Sequence, residues 1–191
     1  MMSRRAFVAS GLALFAAPWA VADDAATWEK LRRGHYVILM RHASTEQGLG
    51  DPMGMRIGDC TTQRNLSDAG REEARRVGER FRQERVRVHK VYTSPWCRCH
   101  ETGMLAFGQA EDWTPLSSTF DMPDQEKDFT ERVKKRIAQY DRHPPPANIV
   151  MVTHNVNIAA LSRESVAPAE LVIMRSQGCC DTHMVERLKV V

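Results

Sequence analysis

The sequence is nearly balanced in charge once its first 22 residues are set aside. Its 191 residues include 27 Lys or Arg and 24 Asp or Glu, a formal net charge of +3. Residues 1–22 contribute two arginines and no acid, which leaves 25 basic against 24 acidic residues. A nucleic-acid partner would require a basic patch, so this balance favours no such partner. The remaining 169 residues suit one domain with one core.

The N-terminal segment is typical of an export signal. Residues 3–7 carry the paired arginines of a twin-arginine signal, and residues 20–22 offer the small-x-small pattern that signal peptidase cleaves. An uncleaved anchor is the alternative, but the 16 residues from 7 to 22 are fewer than the roughly 20 that a membrane span needs. We therefore expect a signal peptide at residues 1–22 and a periplasmic domain at residues 23–191, with no membrane span after cleavage.

The first predicted strand ends in two residues suited to an anion. The apolar run at residues 37–40 is typical of a strand buried on both faces, and it leads directly into Arg41 and His42. Residues 45–64 then contain four glycines and show no periodicity. Because a loop this long inside a compact domain is usually functional, we expect it to face a ligand, with Arg64 reaching inward.

A helix and a second strand follow the loop. Ser67 is a good cap for a helix that runs to about residue 84, with apolar residues on one face and charges on the other. Residues 90–93 form a short strand that Pro95 stops, and a helix can begin there with Arg98 near its first turn. Free N–H groups at a helix N-terminus suit phosphate.

The C-terminal half continues the alternation of helices and strands. A helix is predicted over residues 129–142, and a proline-rich connector leads into a buried strand at 149–152 that runs through Thr153 into His154. The remaining predicted elements are a helix beginning at Asn155 and strands at residues 170–175 and 183–191. This order indicates an α/β fold: a single domain with a mostly parallel sheet flanked by helices on both faces.

Three strand ends are expected to converge on one site. Ligands in open α/β sheets bind beyond the carboxyl ends of the strands, where His42, Arg98 and His154 would meet. Arginine grips phosphoryl oxygens in pairs, and a neutral imidazole can serve as a nucleophile. A buried structural histidine would be the better interpretation of either ring alone. Two histidines at matched strand ends, one beside an arginine, favour an anion site instead.

Three motifs in chain order resemble the histidine phosphatase superfamily, which has the phosphoglycerate mutase-like fold. They are Arg41-His42-Ala43, Ser94-Pro95 with Arg98 and Thr102, and Val152-Thr153-His154. The similarity to small exported bacterial members extends over residues 59–67, 70–71, 96–99 and 153–158, and spans about residues 36–175. The sequence departs from the common pattern at Ala43 and Asn155, where the family usually has glycine.

The resemblance implies a phosphatase that hydrolyses phosphomonoesters through a phosphohistidine intermediate, without a metal or other cofactor. His42 would be the nucleophile, and Arg41 and Arg98 would clamp the phosphoryl group. His154 would stabilise that group electrostatically. The implied class is a phosphoric monoester hydrolase of the histidine acid phosphatase type.

The general acid and the substrate contacts are less well defined. Family members commonly place a carboxylate some tens of residues after the second arginine, and Asp121 is the first acid after the strand expected there. Glu46 and Glu101 are the alternatives. The candidate substrate-binding residues are Arg64, Thr45 and Asn155.

Five cysteines in an exported protein favour disulfides: Cys60, Cys97, Cys99, Cys179 and Cys180. Their odd number leaves at least one free or paired between chains. Cys60 with Cys99 is the first pair to test, because both flank segments expected at the site, but the connectivity does not follow from the sequence. A zinc cluster at residues 97–100 is the alternative, which the short spacing disfavours.

Several functions remain open at this point. A phosphate-binding module without turnover is one, although all four core residues are present. A mutase is disfavoured by export and by the short chain, and a phosphohistidine protein phosphatase by export. The expected partner is a phosphorylated small molecule or a lipopolysaccharide phosphate, and the sequence does not choose between them.

Overall fold

The computed structural model describes residues 20–177 and 181–191. Within these residues the chain forms six strands and five α-helices. The strands are β1 (Val37–Arg41), β2 (Val88–Thr93), β3 (Glu111–Asp112), β4 (Asn148–Thr153), β5 (Leu171–Ser176) and β6 (Thr182–Leu188). The helices are α1 (Ala20–Arg33), α2 (Asp68–Gln83), α3 (Cys97–Phe107), α4 (Glu126–Arg142) and α5 (Asn155–Ser162).

The six strands form one mixed sheet in the order β3-β2-β4-β1-β5-β6. The strands β3, β2, β4 and β1 are parallel, whereas β5 is antiparallel to β1 and β6 is antiparallel to β5. The predicted single-domain α/β fold with a mostly parallel sheet is therefore confirmed. In the register Arg41 pairs with Thr153 and Thr93 pairs with Val152, so β1, β2 and β4 end at the same edge.

Both faces of the sheet are covered, which explains why the central strands are apolar throughout. In β1, Ile38 and Met40 belong to the core on the α1, α2 and α3 side, and Val37 and Leu39 belong to the core on the α4 and α5 side. Each of these side chains is at most 2% exposed. Burial of one such side chain stabilises the fold by about 1.5–3 kcal/mol, so the central strands are firmly held.

Helix α2 holds the segment that follows β1. Ser67 caps the helix as predicted, its hydroxyl accepting a hydrogen bond from the N–H of Gly70. A Cβ on Gly70 would collide with the carbonyl of Ser44, so only glycine allows this approach. Glu73 accepts hydrogen bonds from both the N–H and the hydroxyl of Ser44, each at 2.9 Å. The residues after His42 are thereby attached to a rigid helix.

The sequence-based element boundaries differ from the structure in a few places. Helix α4 begins at Glu126 rather than residue 129, because its first turn is acidic and lacks the apolar periodicity used to locate it. Helix α1 and the two-residue strand β3 were not expected. Residues 1–19 of the predicted signal peptide, and Cys179 with Cys180, lie outside the described residues.

None of the helices found in residues 20–177 and 181–191 combines the length and the apolar character needed to cross a membrane.

Candidate active site

One cavity of about 240 Å³ lies at the sheet edge where β1, β2 and β4 end. It is lined by both histidines that follow apolar strands, His42 and His154, and by Arg98 from the first turn of α3. These three residues are each at most 5% exposed. The two imidazole ring centroids lie 5.3 Å apart. The structure thus brings together residues that are more than 50 positions apart in sequence.

The ring of His42 is held in one orientation. Its Nδ1 lies 2.8 Å from the carbonyl oxygen of Ala43 and donates to it, so the neutral ring carries its proton there. Burial lowers the pKa of His42 to about 3; the Ala43 carbonyl opposes this shift, and the guanidinium charges of Arg98 and Arg41 add to it. The imidazole is therefore neutral near pH 7, with an unprotonated Nε2 that can attack an electrophile.

The ring of His154 is equally buried and also neutral. Burial lowers its pKa well below the ordinary value, and the neighbouring His42 and arginines lower it further. Its Nε2 lies 2.8 Å from the hydroxyl of Ser94, which follows β2. With Ser94 donating to Nε2, the proton of the neutral ring resides on Nδ1, which can donate to a bound anion.

A buried carboxylate, Asp51, holds the guanidinium of Arg98. Nη1 and Nη2 of Arg98 donate to the two oxygens of Asp51 at 2.8 and 3.1 Å. The same carboxylate accepts from the indole N–H of Trp96 and from the backbone N–H of Arg64, each at 3.0 Å. Burial acts to raise the pKa of Asp51, but the hydrogen bonds from Arg98 and Arg64 outweigh it and lower the pKa. Asp51 is thus an ionised carboxylate with four donors.

Arg41 and Arg64 complete the cationic lining of the cavity. Nη1 of Arg41 donates to the carbonyl of Val166 at 2.6 Å, and Arg64 donates to the carbonyl of Gly48. Asn155 accepts from the N–H of Val166 at 2.8 Å, so its side chain supports the segment that holds Arg41. Asn155 was predicted to bind substrate. It lines the cavity, and its side chain also positions Val166.

The three arginines of the cavity share one feature. Within the described residues, the buried Nε of Arg41, of Arg64 and of Arg98 has no hydrogen-bond partner. An unsatisfied buried N–H costs about 1–3 kcal/mol, so three in one cavity are unusual for a purely structural cluster. A multivalent oxyanion could satisfy them after small side-chain shifts.

A family model supports the resemblance drawn from the motifs. The model of the histidine phosphatase superfamily (branch 1) matches residues 37–118, which include His42 and Arg98. Over these residues the chain matches the histidine phosphatase superfamily. Comparison with curated protein sequences finds no significant match.

Several solved structures share the fold. The protein histidine phosphatase SixA, complexed with tungstate, is 15% identical, with a TM-score of 0.57 over 81% of this chain and 96% of that one. A mycobacterial glucosyl-3-phosphoglycerate phosphatase is 15% identical, with a TM-score of 0.58 over 80% and 98%. Phosphoserine phosphatase from Entamoeba histolytica, in complex with 3-phosphoglyceric acid, is 12% identical, with a TM-score of 0.57 over 81% and 96%. These likenesses establish the phosphoglycerate mutase-like fold.

The structure separates the three candidate general acids. Asp121 is exposed and lines the cavity with His42. Glu46 lines a neighbouring cavity with Asp51 and Arg64. Glu101 accepts from Nε of Arg71 at 2.7 Å and lines a different cavity. Of the three, Asp121 is the one that lines the histidine cavity.

Of the other two predicted substrate-binding residues, one lines the cavity and one does not. Arg64 lines the cavity, as expected of the glycine-rich loop. Thr45 instead forms an isolated bridge with Leu66 and is not among the cavity-lining residues. Asp51 was missed, because a single acid in a loop without periodicity gives no signal beyond its position.

Cys60 is bonded to Cys97 and not to Cys99, the partner that the sequence put first for testing. Cys97 is the first residue of α3 and borders the glycine-rich loop, whereas Cys99 lies two residues further round the helix and faces the core. The Cys99 thiol is buried 3.5 Å from Nε2 of His154, and burial raises its pKa to about 12. The disulfide ties the loop that carries Asp51 to the helix that carries Arg98.

The alternative of a zinc cluster at residues 97–100 finds no support in this arrangement. Cys97 is held in the disulfide with Cys60, and Cys179 and Cys180 lie outside the described residues. Among the residues that the structure describes, no group of three or more His, Cys, Asp or Glu side chains is placed to hold a metal ion.

Proposed function

We propose that this chain hydrolyses phosphomonoesters through a phosphohistidine intermediate on His42, without a metal. The observation that carries the proposal is the combination in one cavity of a neutral histidine and three arginines with unpartnered Nε–H groups. A phosphomonoester carries nearly two negative charges near pH 7, which matches this lining. The anion would thus be bound beside a nucleophile.

The proposed first step is transfer of the phosphoryl group to His42. Nε2 attacks phosphorus, and the bond between phosphorus and the ester oxygen breaks. The Nδ1–H bond to Ala43 keeps Nε2 free for attack and disperses the positive charge that develops on the ring. The leaving oxygen takes a proton from Asp121, the proposed general acid.

The second step returns the enzyme to its starting state. Water attacks phosphorus, its proton passes to the Asp121 carboxylate, and the bond between phosphorus and Nε2 breaks. Inorganic phosphate leaves and His42 is neutral again. Throughout both steps the arginines and the Nδ1–H of His154 would stabilise the charge on the phosphoryl oxygens.

Asp51 has a positioning role in this scheme. It binds Arg98 end-on through one N–H of each Nη atom, so other N–H groups of the guanidinium stay available for a ligand. A guanidinium fixed in this way loses little conformational entropy when phosphate binds. Arg98 is therefore pre-organised before the substrate arrives.

The solved structures that share the fold support phosphatase chemistry. Two of them are described as phosphatases of phosphorylated small molecules, glucosyl-3-phosphoglycerate and phosphoserine. We accordingly propose a phosphorylated small molecule as the substrate class. No comparison supports lipopolysaccharide phosphate.

The decisive experiment measures hydrolysis of p-nitrophenyl phosphate by the purified protein in EDTA. Activity should persist, because arginines and histidines supply the positive charge that a metal would otherwise bring. Activity that disappears in EDTA and returns with zinc or magnesium would contradict the mechanism. The absence of any phosphatase activity, with phosphate still bound, would favour the alternative of a non-catalytic binding module.

The role of Asp121 has its own test. The Asp121→Asn variant should lose roughly 10²-fold or more on ethyl phosphate but much less on p-nitrophenyl phosphate, whose leaving group needs no proton. Glu46→Gln is the matched control, because Glu46 lines the neighbouring cavity. An equal loss on both substrates would remove Asp121 from this role.

We also propose export to the periplasm, on the strength of the residue 3–7 and 20–22 patterns. Mass spectrometry of the periplasmic fraction should find a chain about 22 residues shorter than the full sequence. An exported chain that keeps Met1 or Met2 would contradict cleavage.

A further inference from the structure

Two large exposed apolar side chains line the cavity that contains His42. Five are found among the described residues: Leu49, Met53, Ile57, Met104 and Phe120. Leu49 and Phe120, which are 90% and 54% exposed, line the same cavity as His42 and the three arginines. Met53 and Ile57 lie on the same loop as Leu49, whereas Met104 lies on α3. The cavity thus combines buried cations with exposed apolar side chains.

The two apolar residues belong to segments that meet. A Cβ placed on Gly50 would lie 3.8 Å from Cε1 of Phe120, so the loop next to Leu49 passes close to that aromatic ring. On the C-terminal side of Gly50 the same loop is anchored by the Asp51–Arg98 ion pair and the Cys60–Cys97 disulfide. Leu49 and Phe120 line one cavity from neighbouring segments, and we call these two side chains the apolar wall. The segment that carries Leu49 is tied to α3, the helix that carries Arg98.

We propose that the substrate of this site is a phosphomonoester with an apolar ester group, an alkyl or aryl body that lies against Leu49 and Phe120. Scattered exposed apolar side chains need no explanation, but adjacent ones at a binding cavity mark a contact surface. Because the wall and the arginines line one cavity, the group that covers the wall is the one bonded to the bound phosphate. The turnover part of this inference rests on the proposed function, and the binding part does not.

The test uses alkylphosphonates, from methyl to hexyl, as ligands that cannot be hydrolysed. Affinity measured by calorimetry should increase about two- to fourfold for each methylene over the first few, as expected for partly to fully buried CH₂ groups. For alkyl phosphates of the same lengths, kcat/KM should increase in parallel. Chains up to hexyl remain monomeric in solution, so aggregation does not enter the comparison.

Variants then locate the effect. In Leu49→Ser and Phe120→Ser the ratio of hexyl to methyl affinity should fall several-fold. Met104→Ser is the matched control, an exposed apolar residue away from the cavity, and should keep the ratio of the parent protein. A fall of the ratio in Met104→Ser as large as in the other two would overturn the assignment to this wall.

The remaining outcomes separate this inference from the proposed function. Chain-length-dependent affinity without turnover would support the apolar subsite and contradict the phosphatase proposal. Turnover or affinity that is independent of chain length would overturn the apolar subsite. Sedimentation with phosphatidylcholine vesicles together with a flat chain-length dependence would also overturn it, because the exposed side chains would then serve a membrane surface.

Discussion

Two cavities lie on either side of the first turn of α3, and they differ in how their charges are arranged. The cavity with His42 has a volume of about 240 Å³ and is lined by three arginines and two aspartates. The cavity with His100 is larger, about 420 Å³, and is bordered by the Cys60–Cys97 disulfide. In the larger cavity Arg71 is paired with Glu101, and His100 with Asp112.

Charge pairing and burial, rather than size, mark the smaller cavity as the candidate binding site. In the larger cavity Arg71 and the ring of His100 each already have a carboxylate partner that is substantially exposed to solvent. In the smaller cavity one buried carboxylate, Asp51, is paired with Arg98, and three arginine Nε atoms have no partner in the described part of the chain. An added oxyanion would meet donors that already have partners in the larger cavity, and donors without partners in the smaller cavity.

Replacing His42 in the smaller cavity and His100 in the larger one should give the largest difference in activity. His42→Ala should lower kcat on p-nitrophenyl phosphate by roughly 10⁴-fold or more, the order seen when a nucleophile is removed. His100→Ala should change kcat less than about threefold, since its ring pairs with Asp112 outside the histidine cavity. Acid quench with labelled substrate checks the assignment, and label retained by the His42→Ala protein would contradict it.

The disulfide should matter for stability rather than for chemistry. Cys60 and Cys97 are 37 positions apart, and closing a loop of that length stabilises a fold by about 3–4 kcal/mol. The Cys60→Ser, Cys97→Ser double variant should lose about this free energy of unfolding in urea denaturation. Adding reductant should destabilise the parent and leave the double variant unchanged. A reductant effect on the double variant would point to other cysteines.

Removing one acid from each cavity should have unequal costs. Asp51→Ala leaves the buried guanidinium of Arg98 without its partner, and should lower the free energy of unfolding by about 3 kcal/mol. Glu101→Ala breaks a partly exposed pair with Arg71 and should cost less than about 1 kcal/mol. Urea denaturation of both variants checks this order. Equal costs would mean that the Asp51 pair is open to solvent.

The buried histidines should also make stability depend on pH. Burial lowers the pKa of His42 to about 3 and lowers that of His154, whereas unfolded histidine titrates near 6.5. The unfolded chain then binds more protons, so the free energy of unfolding should fall as pH falls from about 6.5 toward 3. The slope is up to about 1.4 kcal/mol per pH unit for each histidine.

The control for this slope is His42→Asn. Removing one of the two buried rings should reduce the pH dependence by about one histidine's share, measured by urea denaturation at pH 7, 6 and 5. A slope that does not change would show that the ring of His42 is accessible to protons in the folded state.

Much of the fold followed from local patterns. The apolar runs that end at Arg41 and Thr153 were recognised because strands buried on both faces are apolar throughout. Ser67 located the start of α2, since capping is a contact between residues only three positions apart. Helix α1 was not predicted because its first residues were assigned to the export signal. Strand β3 was not predicted because it has only two residues.

The sequence by itself determined that two histidines and an arginine follow three strands, and parallel strands bring such positions to one edge of a sheet. Only the tertiary structure decided which loop residues complete the site. The loop over residues 45–64 has no periodicity, so neither the pairing of Asp51 with Arg98 nor that of Cys60 with Cys97 was encoded in a local pattern. Both contacts join residues 37 or more positions apart, and such contacts are settled by how the folded elements close around the cavity.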